Sequence, residues 1–356
     1  MKRMIREGIQ KLIDGANLSF EEAQEIMREV MSGEATNAQI AAVLTALRMK
    51  GETVEELIAF AAVMREHCRR IHPRVQGRLV DTCGTGGDKI KTFNISTAAA
   101  FVVAGAGVAL AKHGNRSVTS KSGSADVLER LGLNLKMEPE AVQATIEQVG
   151  VGFMYAPAFH PAMKYAVQPR REIGIRTVFN VLGPLTNPAS ANAQLLGVYN
   201  PKLTTPIAYA LKKLGCEEAM VVHGLDGIDE ISTVGRTAIA WLKEGEVANM
   251  EVEPRDFGVK QARIADIKGT TPDESAEILY KILSSQCPAD DPKMEIVLAN
   301  SAAGIIVGGK AEDFNYGMVV ARKSIESGAA YEKLKALIKA SGGDLSKLEE
   351  LESKYG

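Results

Sequence analysis

The sequence changes character at His72-Pro73, and that change restricts the fold more than any other feature of the chain. Before it, the recognisable start signals are helical. Ser19 with Glu22, Thr36 with Gln39 and Thr53 with Glu56 each set a hydroxyl three residues ahead of an acid or amide. In that reciprocal arrangement the hydroxyl accepts from an early backbone N–H while the acid or amide returns the bond. The three starts are evenly spaced, but the sequences between them do not resemble one another, so regular short helices explain the interval better than a helical repeat. Ile26, Val30, Ile40, Val43, Leu44 and Leu47 supply apolar stripes at helical spacing. Residues 1–74 therefore read as a small all-helical domain.

After the change, across residues 75–356, short apolar runs alternate with helical ones. Leu79-Val80-Asp81 opens a strand, and the runs 108–111, 194–199, 219–223 and 296–299 are short, apolar and partly β-branched. Helical patterns such as 124–131 and 139–149 lie between them. Buried strands alternating with helices predict a large α/β domain with a mainly parallel central sheet, on which the small helical domain packs. Residues 239–252 read instead as antiparallel strands around Lys243-Glu244-Gly245-Glu246. The stretch 154–186, rich in proline and arginine, is either a long crossover or a part that joins the helical domain. The lysine- and glutamate-rich tail after Ala329 reads as a solvated helix.

Composition narrows the function classes. With 356 residues, 46% of them hydrophobic and 24% charged, the chain has the proportions of a globular protein. Its formal charge of -2 argues against a polybasic nucleic-acid-binding or membrane-surface protein. Cys68, Cys83, Cys216 and Cys287 are scattered, with no Cys-x-x-Cys pair, which points to reduced thiols and a cytoplasmic location. The N-terminus lacks the apolar core of a signal peptide. The longest apolar run, 98–111, falls short of the roughly 20 residues that a bilayer span needs.

Four constellations carry chemistry. The first, Asp81-Thr82-Cys83-Gly84-Thr85-Gly86-Gly87-Asp88, follows a strand directly. A tight turn with an ordinary cap would explain the glycines alone. Here Thr92-Phe93-Asn94-Ile95-Ser96-Thr97 comes next and leads into an apolar helix, and glycines, hydroxyls and a helix start together favour an anion site. It is neither a Walker loop nor a dinucleotide fingerprint. The second, residues 112–126, sets Lys112, Arg116 and Lys121 among hydroxyls after a strand, as a mobile clamp for a polyanion would. The third runs from His160 through Lys164 to Gln168-Pro169-Arg170-Arg171-Glu172, where adjacent arginines are able to hold a carboxylate or simply start a surface helix. The fourth, residues 223–232, sets Asp229 beside Glu230 among glycines, a pair suited to Mg²⁺ or to solvent. No nucleophile–base triad is recognisable. The set fits transfer chemistry on a phosphorylated substrate whose leaving group is a metal-bound phosphate or pyrophosphate.

Asp81 to Asp88, Asn94 to Thr97, Lys112-His113-Gly114-Asn115-Arg116, residues 174–188 (GIRTVFNVLGPLTNP) and Asp229-Glu230-Ile231-Ser232 together resemble the anthranilate phosphoribosyltransferases, in one order from the N-terminal helices to about Ser327. The resemblance implies the nucleoside-phosphorylase-like phosphoribosyltransferase fold, a homodimer, and a step of tryptophan biosynthesis. In that step anthranilate and phosphoribosyl pyrophosphate give phosphoribosyl anthranilate and pyrophosphate. It further implies that Gly84, Gly87, Asp88 and Thr92 line the phosphoribosyl pyrophosphate site, and that Asn94, Ile95, Ser96 and Thr97 bind phosphate. Lys112, His113, Gly114, Asn115, Arg116, Ser117, Val118, Thr119, Ser120 and Ser124 would wrap the donor. Gly84, His113, Asn115 and Arg170 would surround anthranilate, with Arg170 on its carboxylate, and Ser96, Asp229 and Glu230 would serve Mg²⁺. Lys89 and Lys91 depart from the small residues expected after the glycine loop. No essential general base is expected, because an aromatic amine is mostly neutral near pH 7 and needs alignment more than deprotonation. A non-catalytic or nucleic-acid-binding relative would lack the acidic pair or the Lys-His-Gly-Asn run, and a pyrimidine nucleoside phosphorylase would differ at that run.

Overall fold

The computed structural model describes residues 4–87, 90–117, 122–269 and 271–356. Four helices come first: α1 (Met4–Ile13), α2 (Phe20–Met31), α3 (Asn37–Lys50) and α4 (Val54–Glu66). All three capping boxes read from the sequence are formed, at Ser19, Thr36 and Thr53. The strands are β1 (Leu79–Gly84), β2 (Ala109–Gly114), β3 (Val151–Tyr155), β4 (Ala193–Gly197), β5 (Glu218–Gly224), β6 (Thr237–Lys243) and β7 (Glu246–Val252). They make one sheet in the order β3-β2-β1-β4-β5-β6-β7. β1 to β5 are mutually parallel, and β6 and β7 close the edge antiparallel, turning at Glu244-Gly245.

Between the strands run α5 (Ile95–Gly105), α6 (Ser124–Arg130), α7 (Pro139–Val149), the single turn α8 (Ala156–Phe159), α9 (Lys164–Ile173), α10 (Phe179–Leu185) and α11 (Thr204–Lys213). After the sheet come α12 (Pro272–Leu283), α13 (Pro292–Val307), α14 (Phe314–Glu326), α15 (Ala329–Ala340) and α16 (Ser346–Tyr355). The central strands are buried on both faces, and their side chains alternate between two cores. Leu195, Met220 and Val222 join the layer built by α5, α12, α13 and α15. Leu196, Ala219 and Val221 join a second core that also contains α1 to α4, Ala166 of α9, Leu182 of α10 and Leu211 of α11. α11 covers the second sheet face, and α4 packs on α10 and α11, so the N-terminal helices join this core through those two, with α9 lying against α2 and α3.

Two expectations are corrected. Residues 296–299 are not a strand but the middle of α13, whose residues from Met294 to Val307 are all buried. A helix that is apolar all round carries no 3.6-residue stripe, so a short piece of it cannot be told from a buried strand by periodicity. The charged tail is not a solvated helix either. It forms α15 and α16, and Leu334, Leu337, Ile338 and Leu348 reach the core. The strand β3 had no separate sequence signal. It begins immediately after Gly150, whose left-handed backbone ends α7.

Glu56 shows how a local cap becomes a tertiary tie. Its carboxylate accepts from the Thr53 N–H at 2.8 Å, as a capping box requires. It also accepts from the Leu18 N–H at 2.9 Å and forms a 3.0 Å ion pair with Lys50, while its side chain is fully buried. Glu56→Ala strands two backbone donors and takes from the Lys50 ammonium its one carboxylate partner among the described residues, leaving it the Asn17 and Gly51 oxygens, a loss of about 3–5 kcal/mol. Chemical denaturation should show a correspondingly lower unfolding midpoint, and an unchanged midpoint would mean that the cluster contributes nothing net.

Candidate active site

β1 and β2 lead to one side of the sheet and β4 returns on the other, so the strand order reverses beside β1. Ligands in open α/β sheets collect outside the carboxyl ends of strands at such a point. The loop after β1 meets this requirement through its glycines. Gly86 and Gly87 have φ of +67° and +82°, values that strain any residue with a side chain. Gly197 at the end of β4 is constrained in another way, because a Cβ there would lie 1.6 Å from the Asp229 carbonyl oxygen. That close approach brings the acidic loop after β5 onto the glycine loop.

The two loops are joined through hydrogen bonds. The Gly86 N–H donates to Asp229 Oδ2 at 2.9 Å, and the Ser96 N–H, in the first turn of α5, donates to Glu230 Oε1 at 3.1 Å. Both carboxylates are 8% exposed. Asn94 exchanges bonds with Ser122, its amide nitrogen donating to the Ser122 carbonyl at 3.2 Å and its oxygen accepting from the Ser122 hydroxyl at 3.0 Å. The Ser124 hydroxyl donates to the Asn115 carbonyl at 3.4 Å. Glycine loop, helix start, hydroxyl loop and acidic pair therefore converge. Within the helix start, the Ile95 and Thr97 side chains are buried, and their N–H groups donate to the Phe93 and Asn94 carbonyls. Thr92 pairs with Lys268 in an isolated antiparallel bridge.

The basic clamp is organised differently from the sequence reading. Lys112 is 4% exposed, and its ammonium donates to the carbonyls of Thr82 and Ser96. It is a strut beneath the site rather than a mobile arm, because β2 turns it inward between β1 and α5. Asp81, fully buried, accepts from Asn187 Nδ2 at 2.8 Å and from the His113 N–H at 3.3 Å. Burial pushes its carboxyl up to about 6, against the pull of Lys112 and of these hydrogen bonds. Burial in turn lowers the Lys112 ammonium from its ordinary value, with Asp81 opposing. Arg116 is held by α6, at 2.7 Å from Glu129 and 3.0 Å from Asp126, and the Ser117 N–H donates to Asp126 at 3.0 Å. Asp88, Lys89, Val118, Thr119, Ser120 and Lys121 lie outside the described residues.

A cavity of about 450 Å³ opens beside the cradle, between the strand ends and the helical layer. Gly84, His113, Gly114, Asn115 and Arg170 line it, joined by Met64, His160 and Phe179. Arg170 stacks on Phe179, with its guanidinium carbon 5.2 Å from the ring centre. Among the described residues it has no hydrogen bond or ion pair, and burial lowers its pKa. The planar fork of such a half-buried guanidinium suits a carboxylate. His113 and His160 have ring centres 5.0 Å apart, and each Nε2 is buried without a partner among the described residues. Burial, aided by the neighbouring His160, pushes His113 down to about 3, and burial pushes His160 down to about 4. Both rings are therefore neutral near pH 7.

Sequence reasoning gave no site role to His160, Phe179, Asp81 or Asn187. Phe179 and Asn187 stand within the run 174–188 that carried the family likeness, and His160 stands in the third constellation. Their positions were visible, but their spatial neighbours were not.

Comparison with known proteins accords with this geometry. Residues 6–68 match the helical bundle domain of a glycosyl transferase family, and residues 76–331 match that family's α/β domain. The anthranilate phosphoribosyltransferase of Methanocorpusculum labreanum is 52% identical over 340 residues, covering 96% of this chain and 99% of that protein. The crystal structure of the Thermus thermophilus enzyme superposes with a TM-score of 0.88 at 40% identity, covering 94% of this chain and 99% of that one. The Saccharomyces cerevisiae enzyme in complex with PRPP and Mg reaches the same TM-score at 28% identity, over 96% and 99% of the two chains. By sequence along nearly its whole length, and by fold, the chain belongs to the anthranilate phosphoribosyltransferase family.

Proposed function

We propose that the protein transfers the 5-phosphoribosyl group of phosphoribosyl pyrophosphate to the amine of anthranilate, releasing pyrophosphate, as a step of tryptophan biosynthesis. The observation that carries this reading is Arg170, an unpaired guanidinium in a partly apolar cavity that opens onto an anion cradle. An aromatic carboxylic acid fits such a cavity, and a sugar phosphate fits the cradle. Structures of the yeast relative, one in complex with PRPP and Mg and another with 4-fluoroanthranilate, support the pairing.

The donor set also fits Mg²⁺. Asp229 and Glu230 offer hard oxygen ligands beside Ser96, and among the described residues no group of three or more His, Cys, Asp or Glu side chains forms a soft or closed metal site. Two carboxylates, with water and substrate phosphate completing the shell, suit this ion. When bound, the ion supplies charge neutralisation to the leaving pyrophosphate. The residues of this chain do the rest. The Gly86 and Ser96 N–H groups, which here donate to Asp229 and Glu230, would turn to phosphate oxygens once those carboxylates take the ion, and the partial charge of the helix end adds attraction. Arg170 orients the acceptor by its carboxylate, so that the amine faces the ribose carbon as it acquires oxocarbenium character. His113 and His160, neutral and without partners at Nε2, line the acceptor space without adding charge.

Two copies associate through the helical layer in this reading. Ile13, Met49 and Tyr165 stand exposed on α1, α3 and α9, helices that pack on one another. The four cysteines are unpaired thiols, in keeping with a reducing cytoplasm, and no helix among the described residues is long and apolar enough to cross a membrane.

The direct test is anthranilate fluorescence. It should decay on adding phosphoribosyl pyrophosphate and Mg²⁺ and stop on chelation, and its persistence under varied conditions overturns the reading. Arg170→Ala should raise the anthranilate KM by roughly 10- to 150-fold, the equivalent of a charge-assisted bond of about 1.5–3 kcal/mol, and alter the donor KM much less. An unchanged anthranilate KM removes Arg170 from the carboxylate. The histidine pair makes a separate prediction. Because both pKa values are lowered, to about 3 and about 4, the neutral form persists as pH falls. The ring-proton resonances of His113 and His160 should therefore stay constant from pH 8 down to about 5, where an ordinary histidine with pKa of about 6.5 has already titrated. A midpoint near 6.5 for either ring contradicts the buried, uncharged pair.

A further inference from the structure

Arg176 lies in the short segment between α9 and α10, and its guanidinium lies against the glycine loop at Gly87. Its Nη2 donates to the Gly87 carbonyl oxygen. A Cβ at Gly87 would stand 2.6 to 2.9 Å from Nη2, Cζ and Nε of that guanidinium, so the glycine is what permits the contact. The same cation stacks on Tyr199, with 4.8 Å between its central carbon and the ring centre. Tyr199, which follows β4, donates its backbone N–H to the Thr85 hydroxyl at 3.0 Å, and the Thr85 N–H donates to the Gly197 carbonyl at 2.9 Å. A closed chain of contacts thus runs from the end of β4 through Tyr199 and Arg176 to Gly87, and back through Thr85.

Two physical consequences follow from that chain. A carbonyl engaged by a guanidinium is not free to turn its negative end toward an incoming anion, so the bond to Gly87 biases the loop toward a phosphate-receiving conformation. The stack on Tyr199 fixes the plane of the cation, which a flexible ammonium cannot reproduce. Arg176 also stands six residues after Arg170, just beyond Gly174, whose left-handed backbone (φ +63°) ends α9. One short segment therefore carries both the acceptor-binding arginine and a brace for the donor loop.

We propose that Arg176 is a positioning residue for the phosphoribosyl donor: it holds the glycine loop in its anion-binding conformation through the Gly87 carbonyl, with Tyr199 as its platform. The proposal rests on the donor reading given above and deepens it. It separates Arg176 from Arg170, which meets the acceptor directly.

The test is calorimetric titration of phosphoribosyl pyrophosphate with Mg²⁺ into wild type, Arg176→Ala, Arg176→Lys and Tyr199→Leu, without anthranilate. Steady-state kinetics and a melting temperature accompany each variant. Arg176→Ala should weaken donor binding by about tenfold or more, as loss of one charge-assisted bond does. The anthranilate KM at saturating donor should stay within about twofold, since the carboxylate contact is separate. Arg176→Lys should rescue little, and Tyr199→Leu should weaken donor binding in the same direction. A variant carrying both Arg176→Ala and Tyr199→Leu should bind the donor no worse than Arg176→Ala alone, because the two side chains act as one unit. Full rescue by lysine overturns the proposal in favour of a simple point charge. Unchanged donor affinity in Arg176→Ala overturns it outright, as does an equal loss for both substrates accompanied by a collapse in melting temperature. A wild-type protein that shows no donor binding strikes the proposed function and this inference together, whereas wild-type binding with an indifferent Arg176→Ala strikes only this inference.

Discussion

Asp81 and Lys112 form a buried layer of opposite charge on which the site is assembled. Lys112 ties the Thr82 carbonyl of β1 to the Ser96 carbonyl of α5, while Asp81 receives the His113 backbone and the Asn187 side chain. One pair therefore sets β1, β2 and the start of α5 relative to one another, below the glycine loop and the acidic loop. Desolvating two charges is expensive, and such pairs seldom add net stability over well-packed apolar residues. Apolar residues, however, would not hold the carbonyls of Thr82 and Ser96. The pair is better understood as a device for geometry than for stability.

Above this layer the site has two halves of different chemistry. On one side, backbone donors of a glycine loop and a helix start face two carboxylates, a setting for polyphosphate with a divalent cation. On the other, a cavity with apolar walls holds one guanidinium and two uncharged imidazoles. The helical layer closes the second half, with Met64 of α4 and Arg170 of α9 both on the cavity wall. A chain of formal charge -2 achieves this by segregating its charges locally rather than through its sum.

Much of this was legible in the sequence, for physical reasons that differ by element. Capping boxes are local, and Ser19, Thr36 and Thr53 start their helices as written. The glycine loop and the acidic pair were legible because their residue types suit few other tasks in combination. The run 296–299 was misread because burial on every side erases periodicity. Lys112 and Arg116 looked like mobile cations because the sequence does not show that Lys112 lies beneath β1 or that α6 offers Glu129 and Asp126 to Arg116. His160 approaches His113 across 47 residues of chain, a distance that local pattern does not bridge.

The last two helices bear on how the protein can be handled. The matched family segment ends at residue 331, inside α15. Yet the Asp344 N–H donates to the Gly132 carbonyl, and Lys347 donates to the carbonyl of Glu129, the residue that holds Arg116. A chain trimmed at the family boundary would lose Leu334, Leu337, Ile338 and Leu348 from the core, leaving apolar surface of the kind that drives self-association. Shortening the C-terminus to a tidier domain would remove part of the body of the protein.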